Sequence, residues 1–568
     1  MVNSAWRKRL AVWRNRLYLY PSPESFPHTR TFWLATGLVT LLVILFAGYF
    51  IFYLTSLQDA YLTNAEDLGM MDQAIWSTLH GHLLHQTICN IVSDTNCYTP
   101  AGISRLAIHF EPMLFPVSLL YSIWPGPKTL QVLQILAVAS GAYPAFWLAR
   151  LRLRNEWASV AIALLYLLYP AQQNALIFDF HAVTFTSALL LFALYFMYTR
   201  RTGWLFVFSL LAMACKEEIP LVVACFGLWS MLLQRRWRSG LLLVLLALIW
   251  TALGLLVIHS FSPLGHSHLV ARYSYLGSNP LQIAHTLLTH PVGMLKQHVL
   301  ERNHLTYLSS LFAPAGYLPL LAPWVLVLAL PTLLLNLFST DPGMYSGIFQ
   351  YNAEIVPILI FATIEAIVLL LWLAQRLLHM HSDPMYRVPR GGDGREDPHG
   401  CGRRGQGDRK GRPYHTTKRL RRFQAGLLLL LLVYILVSVV HEDAYRSGMP
   451  LARGFHWPQV TEHTTLAQHF IDMVPPEASV SSQSKLVPHM SQRLNIYMFP
   501  YADTQADYIL LDLRGDIYPY ATRQAYQHEV NKVLQRGNYR ILAAQDGYLL
   551  LKRELPLINY LDRHLPLA

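Results

Sequence analysis

The sequence is poor in charged residues, which make up only 14% of the chain, and this shortage limits the folds it can form. Soluble globular proteins carry about 25% charged residues, because their surfaces must stay hydrated. Hydrophobic residues, in contrast, account for 53% of this chain. An ordinary water-soluble fold is therefore excluded.

Cysteines and cofactor-binding motifs are also scarce. Five cysteines in 568 residues are too few for a disulfide scaffold, and none of them form a CxxC pair. The chain has no HExxH, GxGxxG or GxxxxGK[ST] motif, so it offers no support for a structural metal, a dinucleotide or a P-loop site. ATP-driven transport by this chain alone is therefore excluded.

Long hydrophobic runs are what the sequence has instead. Runs long enough to cross about 30 Å of hydrocarbon lie at 31–55, 239–258, 354–378 and 424–440, with shorter runs between 129 and 234. The first is too long, and too poor in small residues at its end, to be a cleaved signal peptide. The chain is predicted to be an α-helical polytopic membrane protein with about ten or eleven membrane segments.

Basic residues indicate the orientation. They are concentrated in residues 1–30 and in the Gly- and Arg-rich segment 379–423. Because both segments flank hydrophobic runs, the net charge of +12 is typical of cytoplasmic loops rather than of a nucleic-acid site. We predict a basic cytoplasmic N-terminus over 1–30, a disordered cytoplasmic linker over 379–423, and no nucleic-acid partner.

The spacing of basic clusters predicts the topology between these segments. Residues 56–127 contain one basic residue, Arg105, and form a large first outer loop. The run 113–124 contains a proline and suits an interfacial helix better than a span. Residues 309–338 are compatible with one span or with a hairpin. The transmembrane domain therefore covers 31–378, and a last helix covers 424–440.

The C-terminal region has a different pattern. Short β-rich runs at 507–513 and 539–552 surround a polar helical stretch at 519–536. This pattern predicts a small α/β domain over 441–568 on the extracytoplasmic face. Substrate recognition and simple stabilisation are both compatible with it.

Ionisable residues cluster at the predicted outer ends of the spans. Such residues are costly near a membrane and are often functional, although short polar turns can also be merely solvated. The candidates are Glu66, Asp67 and Asp72 in "AEDLGMMDQAIW", His109 and Glu111 in "HFEP", Asp179 and His181 in "FDFHAV", and Lys216, Glu217 and Glu218 in "CKEEIP". Cys89 and Cys97 also lie in the first outer loop, where a disulfide and two free thiols are both compatible with the sequence.

Several segments carry a family resemblance. "DLGMMDQAIW", "HFEPMLFPVSLLYSIWPGPKTLQVLQ", "YPAQQNALIFDFHAVTF", "CKEEIPL", "ARYSYLG" and "YNAEIVP" resemble domain-of-unknown-function family 2079, prokaryotic multi-pass membrane proteins. The resemblance covers nearly all of 31–378 and 424–555. More broadly, an acid at the start of a first outer loop with two amphipathic helices resembles the GT-C superfamily of membrane glycosyltransferases. That likeness implies a GT-C-like bundle and a polyprenyl-phosphate-linked sugar donor.

The GT-C resemblance implies roles for the candidate residues. Asp67 would be the general base, with Glu66 or Asp72 orienting it or helping to bind a divalent cation; no other cofactor is expected. Lys216 and Arg272 would stabilise the leaving phosphate, although Arg272 could instead pair with a loop acid. The remaining candidates would bind substrate: His109, Glu111, Asp179, His181, Glu217, Glu218, Tyr351 and Glu354. Near Glu354 the superfamily usually has a basic phosphate contact, and this chain has none there.

Two other functions are compatible with a polytopic membrane protein. A secondary transporter would show repeated halves with broken helices, and the sequence shows no such repeat. A non-catalytic protein of envelope or polysaccharide assembly would tolerate loss of the loop acids. The sequence favours a glycosyltransferase in the cell membrane, surrounded by membrane lipids.

Overall fold

The structure is a computed structural model that describes residues 28–92, 97, 99–277, 280–294, 296, 300–382, 414–446, 448–450 and 452–554. The predictions for most of the N-terminal segment and for linker residues 383–413 lie outside these residues. Helices α17 and α18, whose bounds are given below, extend into the predicted linker from both sides.

Helices dominate the described chain. The first eleven are α1 Arg30–Asp59, α2 Met70–Leu79, α3 Leu114–Tyr121, α4 Pro127–Ser140, α5 Ala142–Leu153, α6 Glu156–Leu167, α7 Pro170–Ile177, α8 Thr186–Tyr198, α9 Thr202–Met213, α10 Ile219–Leu232 and α11 Trp237–Phe261. The others are α12 Pro280–Thr289, α13 Pro291–Met294, α14 Arg302–Phe312, α15 Pro323–Leu326, α16 Leu330–Leu337, α17 Val356–Ser382, α18 Tyr414–Arg446, α19 Glu462–Asp472 and α20 Arg523–Gln535.

Five helical segments of the described chain are long and apolar enough to cross a membrane. They are Arg30–Asp59, Pro127–Leu153, Trp237–Phe261, Gln350–Leu378 and Arg422–Arg446. The pair α6 and α7, bent by 41°, is a sixth candidate. This number is below the predicted ten or eleven, because several predicted segments form apolar helices of only 10–17 residues.

The segment 309–338 is broken into short pieces. It contains the end of α14, three 3-10 turns, α15 and α16. Pro314, Pro319, Pro323 and Pro331 interrupt it, because proline donates no backbone hydrogen bond. Helix α3 is also short, with eight residues, and at about 12 Å it cannot cross the hydrocarbon core.

The centre of the bundle is formed by α17. Its residues from Val356 to Ile367 are buried, so this part of the helix is surrounded by other helices on all sides. One ion pair lies within this apolar core, between Arg152 of α5 and Glu365 of α17. Burying both charges is tolerated because the guanidinium donates two hydrogen bonds to the carboxylate.

The C-terminal region forms the predicted small α/β domain. Its strands are β3 Val480–Ser482, β4 Ile496–Met498, β5 Tyr508–Asp512, β6 Tyr539–Gln545 and β7 Tyr548–Arg553, in the order β4-β3-β5-β7-β6. The pairs β4-β3 and β3-β5 are parallel, and the pairs β5-β7 and β7-β6 are antiparallel. The predicted run 507–513 corresponds to β5, the run 539–552 to the hairpin β6–β7, and the helical stretch 519–536 to α20, whereas β3 and β4 are too short to give a pattern.

The C-terminal domain is docked on the loop after α1. Ala65 and Ile88 of that loop are buried in one apolar cluster with Phe470 and Val487 of the domain. We call residues 60–126 and 452–554 together the cap. The loop part contains α2, α3, the strand pair β1 His85–Gln86 and β2 Ile103–Ser104, and a disulfide between Cys89 and Cys97.

Candidate active site

A cavity of about 1600 Å³ lies between the cap and the helical bundle. One part of its wall is polar and carries Asp67, His109, His181 and Lys216, among others. Another part is apolar and includes Leu255 and Leu256 of α11 and Leu334 and Leu335 of α16. The cavity therefore offers one ligand both a polar and an apolar surface.

Asp67 lies in this wall and is held by His181. The π-helical turn Ala65–Gly69 ahead of α2 carries the aspartate. Nε2 of His181 lies 3.1 Å from Oδ1 of Asp67. The His181 backbone N–H donates to Oε1 of Gln134 in α4, and this hydrogen bond holds the histidine backbone in place. Among the described residues, Oδ2 of Asp67 has no hydrogen-bond partner.

The same turn places Glu66 against the C-terminal domain. The Tyr518 hydroxyl and Nδ2 of Asn90 both donate to Oε2 of Glu66. Glu66 and Asn90 also line the cavity. Neighbouring acids in the sequence thus have different partners, since Asp67 contacts the bundle and Glu66 contacts the domain.

A second carboxylate–histidine pair joins the cap to the loop between α9 and α10. Nδ1 of His109 lies 2.8 Å from Oε1 of Glu217, and the Phe110 backbone N–H donates to Oε2. Burial lowers the pKa of His109 to about 3. The imidazole is therefore neutral at physiological pH, with Nδ1–H donating to Glu217.

Glu111 is paired with Arg105 inside the cap. The Arg105 guanidinium donates to both carboxylate oxygens. Burial by itself would raise the pKa of Glu111, but the adjacent Arg105 charge outweighs it and holds the pKa below its usual value. Both residues line the cavity, and their mutual pairing indicates a largely structural use of this acid.

Lys216 and Arg272 approach the ring of Tyr351. The Lys216 ammonium lies 5.3 Å from the ring centroid and the Arg272 guanidinium 6.0 Å from it. Lys216 pairs with Glu218, and Arg272 pairs with Asp341 at 3.0 Å. Burial alone would lower the pKa of Lys216, but Glu218, Glu217 and Glu354 raise it above its usual value. Lys216 therefore stays charged.

Asp72 does not line this cavity, which contradicts its predicted place beside Asp67. It is fully buried, and its two oxygens accept hydrogen bonds from the Tyr121 hydroxyl at 2.6 Å and the Ser491 hydroxyl at 2.7 Å. Burial raises the pKa of Asp72 to about 7. Since both oxygens are used inside the cap, Asp72 joins the loop to the C-terminal domain.

Asp179 and Glu354 are also outside the cavity lining. Oδ2 of Asp179 accepts from the backbone N–H of Asn64 at 2.9 Å, which anchors the start of the loop. Burial and the nearby Asp67 raise the pKa of Asp179 to about 7. Glu354 is buried at the start of the span Gln350–Leu378, and its Oε2 has no hydrogen-bond partner in the described chain.

The predicted ligands of a divalent cation, Asp67 and Asp72, do not form a metal site. No group of three or more His, Cys, Asp or Glu side chains has a metal-binding arrangement in the described part of the chain. Asp72, the second predicted ligand, is occupied by two hydroxyl donors. The residues present do not fit a two-aspartate metal site.

Three residues of the site were missed at the level of sequence. Tyr518 and Asn90 bind Glu66, and Asp341 pairs with Arg272. Tyr518 is 452 residues from Glu66 in the chain. No local pattern predicts such a contact. For Asn90, the one available signal was its position next to Cys89 in the first outer loop.

The helical bundle, the cap and the cavity between them define a polytopic membrane protein with a candidate active site at one end of the bundle. The chain belongs to the family described as predicted membrane protein, DUF2079, whose model matches residues 58–550. The family resemblance seen in the sequence is thereby confirmed. No curated protein matches the sequence.

Solved structures that are similar to this chain include two of one protein. One is ArnT from Cupriavidus metallidurans bound to undecaprenyl phosphate, with 12% sequence identity and a TM-score of 0.44. The match covers 92% of this chain and 98% of that chain. The other is ArnT from the same organism in the apo state, with 13% identity, a TM-score of 0.45, and coverage of 91% and 98%.

Proposed function

We propose that the protein is a GT-C-type glycosyltransferase that takes a polyprenyl-phosphate-linked sugar in the cavity beneath the cap. The observation that carries this proposal is the state of Asp67. Asp67 lines the cavity; one of its carboxylate oxygens is bound by His181, and the other has no hydrogen-bond partner among the described residues. A carboxylate oriented in this way is suited to accept a proton.

Asp67 acts as the general base. As the acceptor hydroxyl oxygen attacks the anomeric carbon, its proton moves to Asp67, and the bond from that carbon to the phosphate oxygen breaks. The electron pair of the broken bond leaves with polyprenyl phosphate. Attack opposite the leaving group inverts the anomeric carbon, and no further reactant is required.

His181 orients the base. Its Nδ1 is buried and has no hydrogen-bond partner in the described chain. A proton on Nδ1 would leave a buried donor unsatisfied, which is costly. The tautomer with hydrogen on Nε2 therefore fits best, and this hydrogen is donated to Asp67.

Lys216 and Arg272 receive the phosphate. Both cations flank the Tyr351 ring, and both have carboxylate partners, Glu218 and Asp341, whose places a phosphate oxygen can take. Negative charge grows on the leaving phosphate as the sugar departs, so fixed cations stabilise the transition state more than the ground state. Arginine also offers a planar fork of donors for phosphate oxygens.

The apolar wall suits the polyprenyl chain. Leu255 and Leu256 line the cavity, and they are 54% and 61% exposed on a helix that is long enough to cross a membrane. A lipid chain bound here can pass from the cavity to the surface of α11 without entering water. This arrangement favours a lipid-linked donor over a soluble nucleotide sugar.

The proposed orientation places the cap and the cavity on the extracytoplasmic side and the N-terminus in the cytoplasm. Arg152, Arg201 and Arg236 belong to the end of the bundle away from the cap, where Arg236 donates to the Met197 carbonyl and the Thr202 hydroxyl. Basic residues beside membrane spans favour the cytoplasm.

A reconstituted turnover assay tests the proposal. The purified full-length chain is given a panel of polyprenyl-phosphate-linked sugars with a cell-envelope extract as acceptor, and mass spectrometry measures released polyprenyl phosphate. We expect release by the wild type and a loss of about 10²–10⁴-fold in Asp67→Asn.

Asp59→Asn is the matched control, because it removes an exposed carboxylate that pairs with Lys128 outside the cavity. It should keep wild-type turnover. Full turnover by Asp67→Asn would contradict the proposed base. Movement of an intact substrate across a vesicle membrane, with no bond broken, would favour a transporter instead.

A further inference from the structure

A second, smaller cavity lies at the end of the bundle opposite the cap. Its volume is about 360 Å³, and its wall includes Phe32, Trp147, Arg150, Tyr195, Phe196 and Arg201. Helix α8 starts after His181 at the first cavity and carries Tyr195 and Phe196 near its other end. With thirteen residues, this helix separates the two cavities by about 20 Å.

The two arginines of the small cavity differ in their contacts. Arg150 is held in place: it pairs with Glu156 at 2.8 Å, and its guanidinium lies 4.5 Å from the centroid of the Phe32 ring. Arg201 is exposed, and within the described chain it has no carboxylate partner. Both guanidinium groups act electrostatically on Tyr195. The cavity therefore has an excess of positive charge.

Aromatic rings and Leu151 form the rest of the wall. Trp147 contacts Tyr195 at a centroid distance of 5.3 Å and Phe192 at 6.1 Å. A wall of this kind offers apolar contact next to the cations. A small inorganic anion would leave most of it uncovered, whereas the glycerol and upper acyl carbons of a phospholipid would cover it.

Exposed tryptophans indicate where the membrane interface lies at this end. Trp33, Trp157 and Trp204 stand in the first turns of α1, α6 and α9, and they are 63%, 54% and 54% exposed. Tryptophan is enriched at the level of the lipid headgroups. The small cavity is lined by residues of α1, α5 and α8 and by Arg201 just before α9, at this same end of the bundle, and therefore lies at headgroup depth.

We infer that this cavity binds the headgroup of an anionic phospholipid. The phosphate lies between Arg150 and Arg201, and the glycerol region rests against Trp147 and Phe196. Basic pockets between membrane helices are known to suit such headgroups. The site is separate from the proposed donor site, and no step of glycosyl transfer depends on it.

Native mass spectrometry of the purified full-length protein tests the inference. The protein is incubated in detergent with phosphatidylglycerol or with phosphatidylcholine, and the bound lipid is counted. We expect preferential retention of phosphatidylglycerol. Arg201→Gln should reduce that retention about fivefold, the factor that corresponds to one basic residue near an anionic headgroup.

Arg238→Gln is the matched control, since Arg238 is exposed at the same end of the bundle but does not line the cavity. It should retain phosphatidylglycerol within about twofold of the wild type, as expected for a cation far from the headgroup. Equal losses in both variants, or equal retention of the two lipids, would overturn the inference. Displacement of the lipid by excess inorganic phosphate would also overturn it, because the ligand would then be a free anion.

Discussion

At the scale of single residues, two aspartates from one short stretch have opposite environments. Asp67 lines the large cavity, whereas Asp72 is fully buried between Tyr121 and Ser491. The sequence predicted both as catalytic, because nothing local distinguishes them. The partners of Asp72 are 49 and 419 residues away in the chain, and these contacts decide its environment.

Asp72 predicts a pH dependence of stability. Its pKa is about 7 in the folded protein and 3.8 in the unfolded chain, so the folded state binds this proton more tightly. The contribution of this proton to the stability of the folded state is fully present below about pH 4 and is lost as the pH rises through 7. While only the unfolded state is deprotonated, the change is about 1.4 kcal/mol per pH unit.

The measurement is thermal unfolding of the full-length protein in detergent between pH 5 and 8. The unfolding midpoint of the wild type relative to that of Asp72→Asn should fall as the pH rises, because the variant lacks this titrating group. Asp179→Asn, which removes a carboxyl with a similarly raised pKa, serves as a positive control. Equal slopes for wild type and Asp72→Asn would contradict this assignment.

At the scale of elements, α2 is the helix that connects the loop part of the cap with the C-terminal domain. Gln73 in α2 is fully buried, and its amide donates to the Arg493 and Leu494 carbonyls and to the Thr87 hydroxyl. Its carbonyl accepts from the Thr87 backbone N–H. One side chain thus connects the loop with the C-terminal domain, next to the turn that carries Asp67.

Gln73→Ala is therefore expected to undock the C-terminal domain from the loop part of the cap. Each buried group left without a partner costs about 1–3 kcal/mol, so the undocked population should rise about tenfold or more. Limited proteolysis of the full-length protein measures this population as an increased cleavage rate within 452–554. Gln524→Ala, at an exposed position on α20, is the control and should leave the rate unchanged.

The elements differ in how well the sequence predicts them. The long spans, α20 and strands β5 to β7 follow from hydrophobic runs and alternation, which are local properties. Strands β3 and β4 have three residues each. Because Ser481 and Ser482 are polar, β3 shows no apolar pattern in the sequence. Their pairing is decided by neighbours across the sheet, so it could not be predicted locally.

The candidate site was predictable only in part. Asp67, His181, Lys216 and Arg272 could be found because ionisable residues stand out beside apolar runs. Their pairing could not be found, because Asp67 and His181 are 114 residues apart. The contribution of Tyr518 was likewise invisible, since it depends on docking of the C-terminal domain.

At the scale of the whole molecule, the two ends of the bundle differ in charge and in shape. The cap end carries the large cavity with its six carboxylates Glu66, Asp67, Glu111, Glu217, Glu218 and Asp341. The other end carries arginines and exposed tryptophans. This asymmetry is typical of a membrane protein whose basic end faces the cytoplasm.

Cysteine labelling in intact cells checks this orientation. In a chain whose Cys215, Cys225 and Cys401 are replaced by alanine, single cysteines are introduced as Ala521→Cys in the cap and Gly203→Cys at the other end. Both positions are exposed, and a side chain at 203 meets no neighbouring atom. An impermeant maleimide should label position 521 before lysis and position 203 only after lysis; the reverse result would invert the topology.

The central claim is that the large cavity holds a lipid-linked phosphate beside Asp67. An experimental structure of the full-length protein with polyprenyl phosphate tests it most directly. We predict phosphate oxygens within hydrogen-bond distance of Lys216 and Arg272, and the lipid chain along Leu255 and Leu256. Lipid density that avoids this cavity, or a phosphate bound far from both cations, would contradict the account.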